Sequence, residues 1–249
     1  MSQSHTFFLY VGDLLAKHKV IAGSALTIVS KELANRLFTI LRLREQERVQ
    51  LFSDTQVLTL TLTASPRPKD TICAIVQSIE KINAPKKIVI AAIGLLKKES
   101  FEEAVHHAAV TGATHIQPLI TTKSRKGWMH EREAERLKAV IIAACEQSKN
   151  RYIPLLLNPQ TLTAACTAWP QACRIGFEAE NSKPLSTLIA WVTTTAPLCS
   201  QIFIGPEGGF TTEELGTLRT EDVEFYQLTP TILRSQEATC LALGLIGAL

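Results

Sequence analysis

From Lys87 onward the chain alternates short apolar runs with longer amphipathic stretches, and that rhythm leaves few folds open. The runs Lys87–Leu95, His115–Ile120, Arg174–Phe177, Gln201–Ile204 and Val223–Leu228 read as strands. Between and after them, Ser100–Gly112, Glu131–Ser148, Leu185–Thr193, Thr211–Thr220 and Gln236–Leu249 carry helical spacing. In Glu131–Ser148, for example, Ala134, Leu137, Ile141 and Ala144 form one apolar stripe, and Glu131, Arg132, Glu135 and Lys138 lie away from it. Strand and helix in repeated succession predict an α/β domain, a mainly parallel sheet with helices on both faces.

Residues 1–78 have a different texture. Thr6–Val11, Arg48–Phe52, Gln56–Thr63 and Thr71–Ile79 are strand-like, separated by the turn chemistry of Ser53-Asp54-Thr55 and of Ser65 to Asp70. One helical piece, Glu32–Leu41, interrupts them. Short strands with a single helix suggest a small β-barrel, suited to gripping RNA rather than to housing an elaborate cleft. The change of rhythm near Asn83-Ala84-Pro85 divides the chain into a barrel over 1–78 and an α/β domain over 84–249.

Composition narrows the partners. The longest apolar run, Ile88 to Leu96, is strand-sized and falls short of the roughly 18 residues a membrane span needs. The first residues lack a basic segment followed by an apolar one, so a cytoplasmic location is expected. The six cysteines form no C-x-x-C pair, and Cys145 and Cys240 lie in apolar runs, which fits small buried hydrophobes and no metal. Adjacent helical residues such as His106 and His107 point to different faces and cannot grip one ion together. The net charge is only +3, but Arg36, Arg42, Arg44 and Arg48 cluster, as do Lys123, Arg125 and Lys126. Local clusters set the field a polyanion meets, although a solvated face with glutamate partners reads the same way. The last helix is apolar nearly all round from Ala238 to Gly247, which predicts burial against a second copy in a homodimer.

The richest motif is Ile204-Gly205-Pro206-Glu207-Gly208-Gly209-Phe210-Thr211-Thr212-Glu213-Glu214. A buried strand stops at Gly-Pro, and two glycines then permit positive φ or close approach of another molecule to bare backbone. A helix follows at once. Thr211 and Glu214 have capping-box spacing, and Phe210 and Leu215 have that of a hydrophobic staple. Two other strand ends, Arg174 to Asn181 and Tyr226 to Ser235, fall at the same edge of a parallel sheet, where ligands bind. No P-loop, dinucleotide fingerprint or G-x-S-x-G is present. Glu207 beside exposed N–H groups would repel phosphate and suits a cationic or ribose-bearing ligand; equally, it caps the following helix.

I-G-P-E-G-G-F followed by T/S-x-x-E, then L-x-P-x-I-L-R about twenty residues later, resembles the SPOUT superfamily of RNA methyltransferases, in particular its RsmE-type branch. Leu41-Arg42-Leu43-Arg44, Leu95-Leu96-Lys97-Lys98 and Ala144-Cys145-Glu146-Gln147-Ser148 extend the likeness over most of the chain. The chain departs from that pattern in five places, one being Val105-His106-His107-Ala108-Ala109-Val110-Thr111-Gly112 where the family often shows I-Q-K-A-T-E-L-G. Thr229 stands where the family's L-G-P has glycine, and Ser235-Gln236-Glu237-Ala238 replaces T-E-T-A after Arg234. Gln147-Ser148-Lys149-Asn150 replaces Q-[SC]-G-R, and no arginine precedes Phe7-Phe8.

The resemblance implies a PUA-like N-terminal β-barrel, a C-terminal domain with a trefoil knot, a homodimer, and S-adenosylmethionine as methyl donor. It implies methylation of N3 of a specific uridine in 16S rRNA of the small ribosomal subunit. By similarity, Glu178, Ile204, Gly205, Pro206, Glu207, Gly208, Gly209, Leu228, Thr229, Ile232, Leu233 and Arg234 would hold the cofactor. Arg234 is the first candidate to stabilise the uracil anion, against a plain salt bridge to Glu237 or Glu207. Glu207 is a candidate base or an orienter of its loop. Arg36, Arg42, Arg44, Lys123, Arg125 and Lys126 would hold RNA phosphates. Two other readings stand beside this one: a SPOUT enzyme acting on ribose 2′-OH or another base, and an RNA-binding ribosome-assembly protein without catalysis.

Overall fold

The structure, a computed structural model, describes residues 6–18, 20–64, 70–125, 131–180 and 182–248. It divides into two compact units, Met1–Ala84 and Pro85–Leu249. In the first unit the elements are β1 (Phe7–Tyr10), a 3-10 turn (Gly12–Lys17), β2 (Ala25–Val29), α1 (Lys31–Ala34), β3 (Arg48–Phe52), β4 (Gln56–Ala64) and β5 (Thr71–Lys81). The strands form one sheet in the order β1-β3-β4-β5-β2, parallel only between β1 and β3. Alternation along β2 sends Leu26 and Ile28 into the core with Leu9, Leu15, Leu51, Leu58 and Ile72. The helix expected over Glu32–Leu41 is a single α-turn that widens into a π-helix over Asn35–Ile40. Ser30 caps its start, its hydroxyl accepting the Leu33 N–H at 3.2 Å.

The second unit runs β6 (Ile88–Gly94), α2 (Lys98–Val110), β7 (His115–Ile120), α3 (Glu131–Ser148), β8 (Leu155–Leu156), β9 (Gln160–Thr161) and α4 (Leu162–Ala168). It continues with β10 (Cys173–Phe177), β11 (Lys183–Pro184), α5 (Leu185–Thr195), β12 (Cys199–Ile204), α6 (Thr212–Thr220), β13 (Glu224–Gln227) and α7 (Ser235–Ala248). All strand pairs are parallel, in the order β11-β13-β10-β12-β6-β7-β8, with β9 also on β7. β12 is buried along its whole length and β6 nearly so, as central strands covered on both faces must be.

Ala92, Leu119, Phe203 and Phe225 face one helical layer, supplied by α4 and α6. On the other side, α2 packs with α3 and α7, and α7 lies against β6 and β12. The chain leaves β6 for β7 on one side and leaves β12 for β13 on the other, so the carboxyl ends of β6 and β12 flank a topological switch point. After β13 the chain returns across β10 to seat α7 on β12 and β6. The knot that the resemblance implies turns on this return.

The last helix packs largely within its own unit. Its apolar circumference is covered largely by α2 of its own chain, where Gly247 comes so close that a Cβ would lie 2.9 Å from the Thr111 carbonyl. Leu241 stays 44% exposed on the uncovered side. Cys145 is buried, whereas Cys240 is only half-buried, and all six thiols are free. Among the described residues no group of three or more His, Cys, Asp or Glu is placed to hold a metal ion. Nor, among them, is any helix long and apolar enough to cross a membrane.

Candidate active site

The site grows from the way β12 ends. Close packing at the switch point decides the residue types: a Cβ on Gly94, the last residue of β6, would lie 2.6 Å from the Pro206 nitrogen and 3.1 Å from the Gly205 carbonyl carbon. Only glycine lets the end of β6 receive this turn. Gly209 takes φ +66 and donates its N–H to the Pro206 carbonyl at 2.8 Å, closing the bend. The expected capping box is present. Thr211 Oγ1 accepts the Glu214 N–H at 3.2 Å, and Glu214 Oε2 accepts the Thr211 N–H at 2.8 Å. Phe210 and Leu215 meet in the apolar cluster beneath α6, as the staple requires.

Three neighbouring segments lean on this turn. At the end of β6, the Lys97 N–H donates to Glu207 Oε1 at 3.4 Å. Glu207 is otherwise exposed, so its carboxylate joins two loops and does not cap α6. After β7, the Thr122 N–H and hydroxyl donate to Glu214 Oε1 at 2.7 and 3.0 Å, and Lys123 Nζ donates to the Gly208 carbonyl at 2.7 Å. At the end of β10, the Glu178 N–H donates to the Tyr226 carbonyl at 3.3 Å. Its Oε2 stands 4.0 Å from where a Cβ of Gly209 would be.

The segment from β13 to α7 supplies the remaining wall. Leu228, Thr229 and Leu233 are half-buried, and Ile232 is 88% exposed. Thr229 is not among the residues with positive φ, so the place the family gives to glycine needs no left-handed backbone here. Its hydroxyl donates to the Thr231 carbonyl at 2.6 Å and tightens the bend. The Arg234 N–H donates to Glu237 Oε2 at 2.9 Å, which caps the start of α7. Among the described residues the Arg234 guanidinium has no carboxylate partner, so the salt-bridge reading is not what this structure contains. Beside the wall, Lys183 Nζ donates to Glu224 Oε1 at 2.7 Å and the Tyr226 hydroxyl donates to Oε2 at 2.6 Å. Those two hydrogen bonds, the lysine's first, hold the Glu224 carboxyl below the usual carboxylate range. Burial, and then Glu224, push the Tyr226 phenol up.

Glu178, Ile204, Gly205, Pro206, Glu207, Gly208 and Gly209 thus meet at one sheet edge, and Leu228, Thr229, Ile232, Leu233 and Arg234 continue it from the adjoining strand. The basic residues are divided between the two units. Arg36 is half-buried, and Arg42 and Arg44 are exposed, all in the first unit. Lys123 is engaged by Gly208, and Arg125 pairs with Glu133 at 3.1 Å. Lys126 lies outside the described residues. Sequence reasoning missed the Lys97–Glu207 and Thr122–Glu214 contacts and the loop-holding position of Lys123. Each joins residues 85 to 110 positions apart, with no local signal.

Exposed apolar side chains, a glycine-bare backbone and two carboxylates suit a flat, uncharged heteroaromatic ring with hydroxyls beside it. They suit a phosphate poorly. An adenosine fits that description.

Comparison with known proteins identifies the family. The family model described as an RNA methyltransferase domain matches residues 83–247. A Rickettsia conorii protein named ribosomal RNA small subunit methyltransferase E is 24% identical over 97% of this chain and 95% of its own length. A Synechocystis protein of the same name is 27% identical over 70% of this chain, but the match spans only 58% of that protein. Among solved structures, the Neisseria gonorrhoeae ribosomal RNA small subunit methyltransferase E, bound to S-adenosylmethionine, is 19% identical with a TM-score of 0.80 over 98% of both chains. A Legionella pneumophila protein solved with the cofactor SAM bound is 24% identical with a TM-score of 0.79 over 98% of both. These structural likenesses show the fold. The family model covers well over half of the residues, and on that match the chain belongs to the RNA methyltransferase domain family.

Proposed function

We propose that this chain transfers a methyl group from S-adenosylmethionine to N3 of a specific uridine in 16S rRNA of the small ribosomal subunit. The observation that carries the reading is the convergence of the Gly205–Gly209 turn, Glu178 and the Leu228–Arg234 segment at one edge of a parallel sheet, in a member of this family. Leu228, Ile232 and Leu233 would face the adenine, the glycine backbone would take its polar edge, and Glu178 would accept from ribose hydroxyls. When bound, the cofactor supplies a methyl group already activated on a sulfonium. The protein therefore has to align the nucleotide, exclude water and manage one proton. N3 of uracil would become nucleophilic on losing its imide proton to solvent, the guanidinium of Arg234 would stabilise the anion that results, and N3 would then take the methyl group, with S-adenosylhomocysteine as the leaving product. We assign Glu207 to orienting its loop, because its carboxylate already receives the Lys97 amide.

Arg36, Arg42 and Arg44 on the first unit, read as a PUA-like barrel, would hold phosphates, with Arg125 and Lys126 on the second. Lys123 keeps two ammonium protons beyond the one it gives Gly208. We read the exposed Leu241 side of α7 as a homodimer surface, in a cytoplasmic enzyme. Light scattering should then return twice the 27.4 kDa chain mass.

The decisive assay incubates the protein with methyl-labelled S-adenosylmethionine and small ribosomal subunits or their 16S rRNA, then identifies the labelled nucleoside by mass spectrometry. 3-Methyluridine is the expected product. A 2′-O-methyl nucleoside or another modified base would assign a different reaction of the same superfamily. Absence of label, with S-adenosylhomocysteine still bound in calorimetry, would favour the non-catalytic assembly protein.

A further inference from the structure

The loop after β7, Thr121 to Arg125, reaches both the glycine turn and the start of α6, and the phosphate-holding role expected of Lys123 and Arg125 does not account for these contacts. Its contacts form a closed ring. The Arg125 N–H donates to the Leu95 carbonyl at 3.0 Å, and the Leu95 N–H donates to the Leu119 carbonyl at 3.0 Å, so the loop is tied to the end of β6. Lys97, two residues on, gives its N–H to Glu207. The ring closes through Thr122 on Glu214 and Lys123 on Gly208. One carboxylate therefore serves twice: Glu214 Oε2 closes the helix cap and Oε1 holds the β7 loop.

Shape and charge agree at Lys123. The place a Cβ of Gly208 would occupy is 2.9 Å from Lys123 Cδ and 3.5 Å from its Cβ, so the stem lies flat on the bare backbone while the ammonium reaches the carbonyl. Drawing the Gly208 carbonyl toward Lys123 fixes the peptide plane whose other end is the Gly209 N–H. A loop of two glycines has the largest conformational freedom to lose on binding a ligand, and a contact that fixes it beforehand lowers that cost.

We propose that Lys123 is a positioning residue for the cofactor site: through the Gly208 carbonyl it holds the glycine turn in its binding conformation, with Thr122 and Glu214 as the second tie. This rests on the reading of the turn as an S-adenosylmethionine site. Lys123 does not touch the cofactor. Its contribution is to affinity through preorganisation, and it operates with no RNA present.

Calorimetry with S-adenosylhomocysteine, on the full chain without RNA, tests it. Lys123→Met keeps an apolar stem on Gly208 and removes the ammonium. The expected result is a Kd raised by roughly tenfold, the scale of one charge-assisted hydrogen bond, with an unchanged melting temperature. Lys123→Arg, which still reaches the carbonyl, should recover most of the affinity. Gly208→Ala should displace the lysine stem, so combining it with Lys123→Met should raise Kd by much less than the product of the two single effects. In turnover, Lys123→Met should raise the KM for S-adenosylmethionine more than it lowers kcat. A Kd within twofold of the parent for Lys123→Met overturns the proposal and leaves the cofactor site standing. A parent chain that binds no S-adenosylhomocysteine overturns both.

Discussion

Arg234 is the residue on which chemistry and structure meet. Its backbone caps α7 through Glu237, yet its guanidinium lies exposed at the carboxyl edge with no carboxylate among the described residues to neutralise it. If it stabilises the uracil anion, Arg234→Gln should lower kcat on the order of 10²-fold, the usual loss on removing one preorganised charge-stabilising donor. Affinity for S-adenosylhomocysteine, measured by calorimetry, should stay close to that of the parent. A tenfold loss of cofactor affinity with kcat intact would move Arg234 from the reaction to the binding site. At this scale the sequence was partly legible. The Thr211–Glu214 cap and the Phe210–Leu215 staple span three to five residues, so spacing alone reveals them. The Lys123–Gly208 bond joins positions 85 apart and exists only because β7 and β12 both flank β6. No local pattern carries that.

Among the elements, β6 and β12 set the site by their closeness. Gly94→Ala would drive a methyl group into the Gly205–Pro206 backbone, which has no flexible atoms to yield. We expect a loss of about 1–3 kcal/mol of stability, read as a fall in Tm, together with weakened S-adenosylhomocysteine binding as the turn shifts. A normal Tm with normal affinity would mean that the switch point is looser than its packing indicates. The edge pair β11–β13 responds to pH instead. Lys183, and then Tyr226, depress the Glu224 carboxyl. A carboxyl depressed in the folded chain stabilises it above the ordinary carboxylate range and loses that effect as pH falls through the folded value. Glu224→Gln should therefore melt below the parent at neutral pH, and the two Tm values should converge below about pH 4. A difference that persists into acid would mean that the charge on Glu224 contributes nothing.

Long elements with a clear period, such as α3, were readable to the residue from Glu131 to Ser148. The two-residue strands β8, β9 and β11 and the seven-residue α4 were not, because each holds too few repeats of the pattern that would announce it, a single one in the strands and about two turns in α4. β2 was missed because Val29, apolar yet 69% exposed, breaks the alternation at its end. The π-helix over Asn35–Ile40 carries the same side-chain period as an ordinary helix to within the resolution of six residues, so sequence could not separate them.

Over the whole molecule, the parallel sheet of the second unit followed from alternation, but the insertion of β12 between β10 and β6 did not. Strand order is decided by which faces pack, and the sequence states only that each strand is apolar. The proposed RNA-holding role belongs to this scale too, because the basic residues named for it are spread over both units. Arg42→Gln with Arg44→Gln should weaken RNA binding most at low salt and reduce the slope of log affinity against log salt by about 1 to 2, with S-adenosylhomocysteine affinity unaltered. An unchanged slope would remove the first unit from the RNA interface. All of these expectations depend on where the cofactor lies. A crystal structure of the chain grown with saturating S-adenosylhomocysteine should show its adenosine between the Gly205–Gly209 turn and the Leu228–Leu233 segment, with Glu178 on the ribose; density for the ligand at any other place, or none at that edge, would contradict the account.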